Sequence, residues 1–189
     1  MENIIGESRD NNMPANAGSE LGCGLKRLNF LMQKQQKSCW CWAATAVSVS
    51  GFFNPNTNWT QCFLVNAVLG RDDCCLDRSG EDCDKTEILD IALKRTGNYQ
   101  SWKKGANTAD IKQEILANRP LCAHISWADG GGHFVAITGF HSDLNTDLNR
   151  IYVSDPFFGD SNVDVTTFLA RYKGDGTWDE TIWVCPCIS

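Results

Sequence analysis

The sequence predicts an α+β fold, a helical N-terminal half packed against an antiparallel β-sheet C-terminal half. Three observations carry this. The apolar period changes at Pro120, from helix-like spacing before it to alternation and continuous apolar runs after it. Helices come in one block and strands in another, the order of segregated layers and not of alternating βαβ units. The 189 residues are 42% hydrophobic and 21% charged, a balance that suits one globular core and excludes a disordered, collagen-like or coiled-coil chain.

Residues 1–27 read as a flexible N-terminal extension and residues 28–189 as the domain. The extension is rich in Asn, Gly, Ser and acids and has no periodicity. It also lacks the basic n-region followed by an apolar h-region that marks a Sec signal peptide. Ser38 is placed to cap a first helix running through Trp42, Ala43, Ala46 and Val47 to Gly51. Thr60 is placed to cap a second, Gln61 to Leu69, with Gly70 as its stop. Thr86 opens a third, Glu87 to Arg95, stopped at Gly97. Asn107 or Thr108 opens a fourth, which must end before Pro120.

The strands follow. Leu121, Ala123, Ile125 and Trp127 alternate on one face, and His133 to Phe140 is a nearly continuous apolar run that reads as a buried strand. Ile151 to Ser154 and Trp178 to Val184 complete the set, with Thr166 as the cap of a short helix between them.

No apolar stretch reaches the 18 or so residues of a membrane helix, so no membrane partner is expected. The net charge of −6 argues against a nucleic-acid partner. Five of those negative charges fall between Arg71 and Asp90, where eight acids meet three bases. The segment 71–90 reads as a solvated loop, or as a docking surface for a basic partner.

The chemistry concentrates in Gln35-Gln36-Lys37-Ser38-Cys39-Trp40-Cys41-Trp42-Ala43-Ala44. With Ser38 as cap, Cys41 lies in the first turn of a helix. There the unpaired N–H groups and the helix dipole favour a thiolate, the nucleophilic form of cysteine. The same N–H groups can hold an oxyanion, and a glutamine upstream can add a second donor. A base must come from one of three histidines. His133 follows Gly130-Gly131-Gly132 and opens the buried strand, so it is rigidly held beside a segment that a substrate backbone can approach closely. His124 sits mid-strand and His141 at a strand end. Asp155 closes the strand Ile151–Ser154, is held extended by Pro156, and can accept the imidazole N–H.

These residues resemble the papain-like cysteine peptidases. The resemblance rests on Gln, five residues, then Cys-Trp-Ala on a helix; on Gly-His-Phe-Val-Ala-Ile-Thr-Gly-Phe; and on a strand ending Ser-Asp-Pro. It is nearest to a short bacterial branch that includes plant-pathogen effector peptidases and, more distantly, the leader-cleaving peptidases fused to bacteriocin exporters. That branch has Asp where plant papains have Asn. The resemblance covers residues 28–189 and implies a papain-like fold and a thiol endopeptidase acting on a polypeptide. It implies Cys41 as nucleophile, His133 as base and acid, Asp155 as the group orienting His133, and Gln35 as oxyanion donor, with no cofactor and no metal. Gln35 is preferred over Gln33 and Gln36 on spacing. Cys41 is preferred over Cys39 because Trp42-Ala43 follows it. The same triad would serve a transpeptidase or transglutaminase with an amine acceptor, and a papain-like scaffold can also act as a non-catalytic binding module.

Of the ten cysteines, nine besides Cys41 remain to be explained. Cys62, Cys74, Cys75 and Cys83 read as two disulfides, with the neighbours Cys74 and Cys75 bonded to different partners. A zinc site there would lack both a C-x-x-C pair and a nearby histidine. Cys185 and Cys187 share one face of a strand end, from which one can reach Cys122. Oxidised cysteines would mean export by a route other than Sec, and reduced ones a cytoplasmic protein. Asp143-x-Asn145-x-Asp147 opens like a calcium loop, but Leu148 and Ser154 stand where the loop needs Gly and Glu.

Overall fold

A computed structural model describes residues 24–76, 80–142 and 148–186. The α+β expectation holds: helices lie against one antiparallel sheet. The first helix, α1 (Cys41–Phe53), is buried from Cys41 to Ser50. Its sequence is apolar or small on every side, and such a helix belongs in the interior. It runs past the expected stop at Gly51 to Phe53. Around it pack α2 (Gln61–Leu69) and α3 (Leu89–Thr96). Leu64, Leu89 and Leu93 are fully buried there, each contributing roughly 2 kcal/mol of transfer free energy.

The helix ends follow local chemistry in part. Thr60 accepts from the Phe63 N–H at 3.3 Å, and Gly70 and Gly97 take the left-handed conformation that stops α2 and α3. Other expected caps are absent. α3 starts at Leu89 instead of Glu87, without a side-chain cap. Thr108 precedes α4 (Ala109–Leu116) but is itself helical and makes no capping bond. In α5 (Val165–Ala170) the cap is Asp164, whose carboxylate accepts from the N–H groups of Thr166 and Thr167. A carboxylate is the stronger acceptor at a helix N-terminus.

The sheet runs in the order β2 (Tyr99–Lys104), β7 (Thr177–Val184), β3 (Leu121–Ser126), β4 (Gly132–Ser142), β5 (Arg150–Ser154) and β6 (Ser161–Asp164). β4 is the spine. β3 pairs along its first half, from Ser126↔Gly132 to Leu121↔Ile137. Where β3 ends, β1 (Gly24–Arg27) takes over the same edge, from Arg27↔Gly139 to Gly24↔Ser142. Gly139 permits this approach, since a Cβ there would lie 2.7 Å from the Lys26 carbonyl oxygen. The expected extension 1–27 therefore overreaches: Gly24–Arg27 belong to the sheet, and its earlier residues lie outside the described ones. Strand β2 likewise interrupts the helical block. Neither strand has a buried position, so they carry little apolar pattern.

Cys62 is bonded to Cys75 and Cys74 to Cys83, as two disulfides. Adjacent Cys74 and Cys75 thus take different partners. Asp73, Cys74 and Cys83 cluster closely enough for a metal, but the two sulfurs are bonded to each other and offer no thiolate. The expected bridge to Cys122 is not made. Cys122 and Cys185 are thiols. Cys122 is enclosed in β3, where burial pushes its pKa up to about 12. Cys185 lies beyond β7 with its sulfur toward the Tyr99 carbonyl. Cys23, Cys187 and the Asp143–Asp147 loop fall outside the described residues. Among the described residues no helix is long and apolar enough to cross a membrane.

Candidate active site

Cys41 is the first residue of α1, so its N–H is one of the donors a helix cannot satisfy internally. The helix is tied to β4 by Thr45, whose hydroxyl donates to the Phe134 carbonyl at 3.3 Å. Phe134 is the neighbour of His133, so this bond ties the first turns of α1 to the strand that carries the imidazole. His133 stands at the start of β4, after the turn in which Gly130 and Gly131 have φ of 98° and 83°. Its Nε2 meets Asp155 Oδ1 at 2.8 Å, and its ring lines the same cleft as Cys41. With Nε2 bonded to the carboxylate, Nδ1 is the remaining ring nitrogen.

Asp155 follows β5 and is fully satisfied. Oδ1 also accepts from the N–H groups of Phe157 and Phe158, at 2.7 and 2.8 Å, and Oδ2 accepts from the Tyr172 hydroxyl at 2.8 Å. Burial pushes its pKa up, but the bonds from His133, that residue's charge and the two backbone N–H groups outweigh burial and hold it below the usual carboxylate range. For His133 burial acts downward. Its bond to Asp155 and the proximity of Cys41 win, and the pKa rises to about 9. The imidazole is therefore protonated at neutral pH. Trp127 stacks near it at 6.1 Å and Phe158 presents an edge at 6.2 Å, so water is largely excluded from the pair.

Gln35 lines the same cleft, of about 540 Å³, together with Ser38, Cys39, Cys41 and His133. Its Nε2 donates to the carbonyls of Lys37 and Ser38, at 3.0 and 2.7 Å. The segment carrying it is held by buried Gln61, which bonds the Lys34 carbonyl, the Gln33 side chain and the Gln36 N–H. Gln33 thus turns toward Gln61, and neither Gln33 nor Gln36 lines the cleft.

The structure differs from the sequence reading at Ser38. The N-cap of α1 is Trp40, without a side-chain bond, and the Ser38 hydroxyl instead donates to Asp84. Cys39 donates its N–H to the same carboxylate. Burial and the Asp84 charge push the Cys39 thiol up, so it is kept protonated beside Cys41. His124 also faces the cleft, bound through Nδ1 to Asp179 at 2.7 Å. It fills the space above Gly132, where a Cβ would lie 2.0 Å from its Nε2. His141 sits at the other end of β4, opposite Arg150. Sequence reasoning missed Tyr172 and Asp84. Neither lies in a recognisable motif.

A cysteine at a helix start beside a buried His–Asp pair is the arrangement of a thiol hydrolase, and residues 25–173 match the family model of the papain-like cysteine protease AvrRpt2. The chain belongs to this family. It is a papain-like cysteine peptidase, and its substrate is a polypeptide. No curated protein matches the peptidase. Among solved structures it is similar to a C39-like peptidase from Bacillus anthracis, with 13% identity, 87% of this chain and 100% of that one covered, and a TM-score of 0.55. It is also similar to the peptidase domain of Streptococcus ComA, a bifunctional ABC transporter, with 12% identity, 83% and 98% covered, and a TM-score of 0.51. At these identities the likeness speaks for the fold, and it agrees with the papain-like architecture expected from the motifs.

Proposed function

We propose that Cys41, His133 and Asp155 act as one catalytic unit in peptide-bond hydrolysis. The observation that carries this reading is the position of His133, hydrogen-bonded to Asp155 and lining the same cleft as Cys41 at the start of α1. The protonated imidazole stabilises a Cys41 thiolate. The thiolate attacks the scissile carbonyl and the oxyanion forms beside the first turn of α1. The Cys41 N–H donates to it, and the Gln35 amide joins by turning one N–H away from the Lys37 or Ser38 carbonyl. His133 then protonates the leaving amine and a Cys41 thioester remains. A water deprotonated by His133 attacks the thioester and releases the acid. The peptidase fold is a single domain from Gly24 onward.

The cleft is lined largely by apolar side chains, Trp42, Ile88, Trp127, Phe134, Phe157 and Phe158, with Glu87 and His124 among its polar ones, which favours apolar residues in the bound peptide. The acidic run 71–90 has less free charge than its composition suggests. Asp73 pairs with Arg71, Asp90 with Lys94, and Asp84 with Ser38 and Cys39. A basic partner on that surface would engage the remaining acids.

The test is cleavage of a peptide library read by mass spectrometry, with and without an added amine. Wild type and Cys39→Ala should give the same hydrolytic products, and Cys41→Ala none. Activity in Cys41→Ala and its loss in a folded Cys39→Ala would transfer the nucleophile to Cys39. Products carrying the added mass of the amine would make the chain an acyl transferase.

A further inference from the structure

The residues just before the proposed nucleophile are held from far away in the chain. Asp84 Oδ1 accepts the Cys39 N–H at 2.8 Å, and Oδ2 takes the Ser38 hydroxyl. On either side, the Trp40 indole donates to the Cys83 carbonyl at 2.6 Å and the Trp42 indole to the Lys85 carbonyl at 3.0 Å. Four residues around Cys41 thus lean on the consecutive positions 83 to 85. The next three, Thr86, Glu87 and Ile88, form a wall of the cleft.

The supporting segment has no helix or strand of its own. Its internal bonds are two turn contacts, Cys83 N–H to the Gly80 carbonyl and Asp84 N–H to the Glu81 carbonyl, each 3.2 Å. What anchors it is Cys83, fully buried and bonded to buried Cys74. The Cys74 N–H is in turn held by the Asn66 side chain on α2, at 2.9 Å. A continuous path runs from α2 through the disulfide to Asp84, and from Asp84 to the start of α1. The carboxylate is ionised at neutral pH. Burial raises its pKa, but the Ser38 hydroxyl and the Cys39 and Ser38 N–H groups lower it further.

We propose that Asp84 is a positioning residue for Cys41, and that the Cys74–Cys83 disulfide holds it in place, so that peptide hydrolysis by this chain requires that disulfide. This rests on Cys41 being the nucleophile. The physical reason is distance. A sulfur displaced by about 1 Å from its reactive geometry can lose on the order of a hundredfold in rate. The start of α1 has no side-chain cap of its own to prevent such a shift. The second disulfide, Cys62–Cys75, includes the exposed Cys75 and lies outside this path.

The experiment compares Asp84→Ala, Asp84→Asn, the double variant Cys74→Ser/Cys83→Ser and the double variant Cys62→Ser/Cys75→Ser on one cleaved peptide. Substitution avoids reducing the disulfides in an assay that must keep Cys41 a thiol. Folding is followed by circular dichroism, and iodoacetamide labelling of Cys41 is mapped by mass across pH. Asp84→Ala and Cys74→Ser/Cys83→Ser should lose about tenfold to a hundredfold in kcat with KM within about threefold. Labelling of Cys41 should slow in both, because the displaced sulfur no longer meets His133. Asp84→Asn should recover most of the rate, since its amide oxygen still accepts the Cys39 N–H. Cys62→Ser/Cys75→Ser should stay within about threefold of wild type in kcat. A folded Asp84→Ala enzyme with wild-type kcat and labelling would overturn the proposal. If Cys74→Ser/Cys83→Ser fails to fold, the two Asp84 variants decide alone. Activity in Cys41→Ala would instead overturn the nucleophile on which the proposal rests.

Discussion

Tyr172 donates its hydroxyl to Asp155 Oδ2 at 2.8 Å, from a turn just beyond α5. Both groups are buried. The phenol therefore completes the solvation of a carboxylate that water cannot reach, and it fixes the oxygen that does not face His133.

Tyr172→Phe should leave that oxygen without a partner. An unsatisfied buried acceptor costs about 1–3 kcal/mol, so urea denaturation should show a loss of about that size, with kcat lowered by a few-fold. Unchanged stability would mean that water or another donor replaces the phenol.

The pKa of about 9 at His133 sets a pH window. It lies above the ordinary value near 6.5. The stabilising contribution of the charged imidazole should be complete below about pH 6.5 and lost as pH rises through about 9. kcat/KM should fall over the same alkaline limb, because the proton destined for the leaving amine is gone. Asp155→Asn removes the charge that raises this pKa, so its alkaline limb should move to lower pH. A pH–rate series on both enzymes checks this, and an identical limb in the two would contradict it.

Gln35→Ala should lower kcat by about tenfold to a thousandfold with little change in KM, the pattern of a donor used in the transition state. Gln36→Ala, outside the cleft, should act mildly. Steady-state kinetics on one peptide separate them, and equal effects would remove Gln35 from the oxyanion site.

Gly132→Ala should push the His124 ring off Asp179, because its Cβ would lie 2.0 Å from Nε2. A loss of about 1–3 kcal/mol is expected from such overpacking. Adding His124→Ala should restore much of it. Thermal melts of the single and double variants test this, and equal instability in the two would show that the clash is elsewhere.

Much of this site is legible in the sequence because its chemistry is local. A cysteine at a helix start, a histidine opening an apolar strand and an aspartate fixed before proline each announce themselves within a few residues. The support is not local. Ser38 has the right chemistry for a cap, yet Asp84, 46 residues on, takes its hydroxyl. Tyr172 reaches Asp155 across a turn with no apolar period to mark it. The edge strands were missed for a related reason. β2 is exposed at five of its six positions, so pairing with β7 and not burial creates it, and pairing leaves no pattern in a single strand. The disulfide partners were legible as a group, since Cys62, Cys74, Cys75 and Cys83 lie close in sequence. Their pairing was set by the fold.

The most direct test of the catalytic unit is the double-mutant cycle of Asp155→Ala and His133→Ala on one cleaved peptide, with folding verified. Asp155→Ala alone should cost about tenfold to ten-thousandfold in kcat, because the imidazole loses its orientation and its tautomer. In a background already lacking His133, the same change should cost little, since the carboxylate then has no imidazole to orient. Additive losses would contradict the account and separate Asp155 from the chemistry of Cys41 and His133.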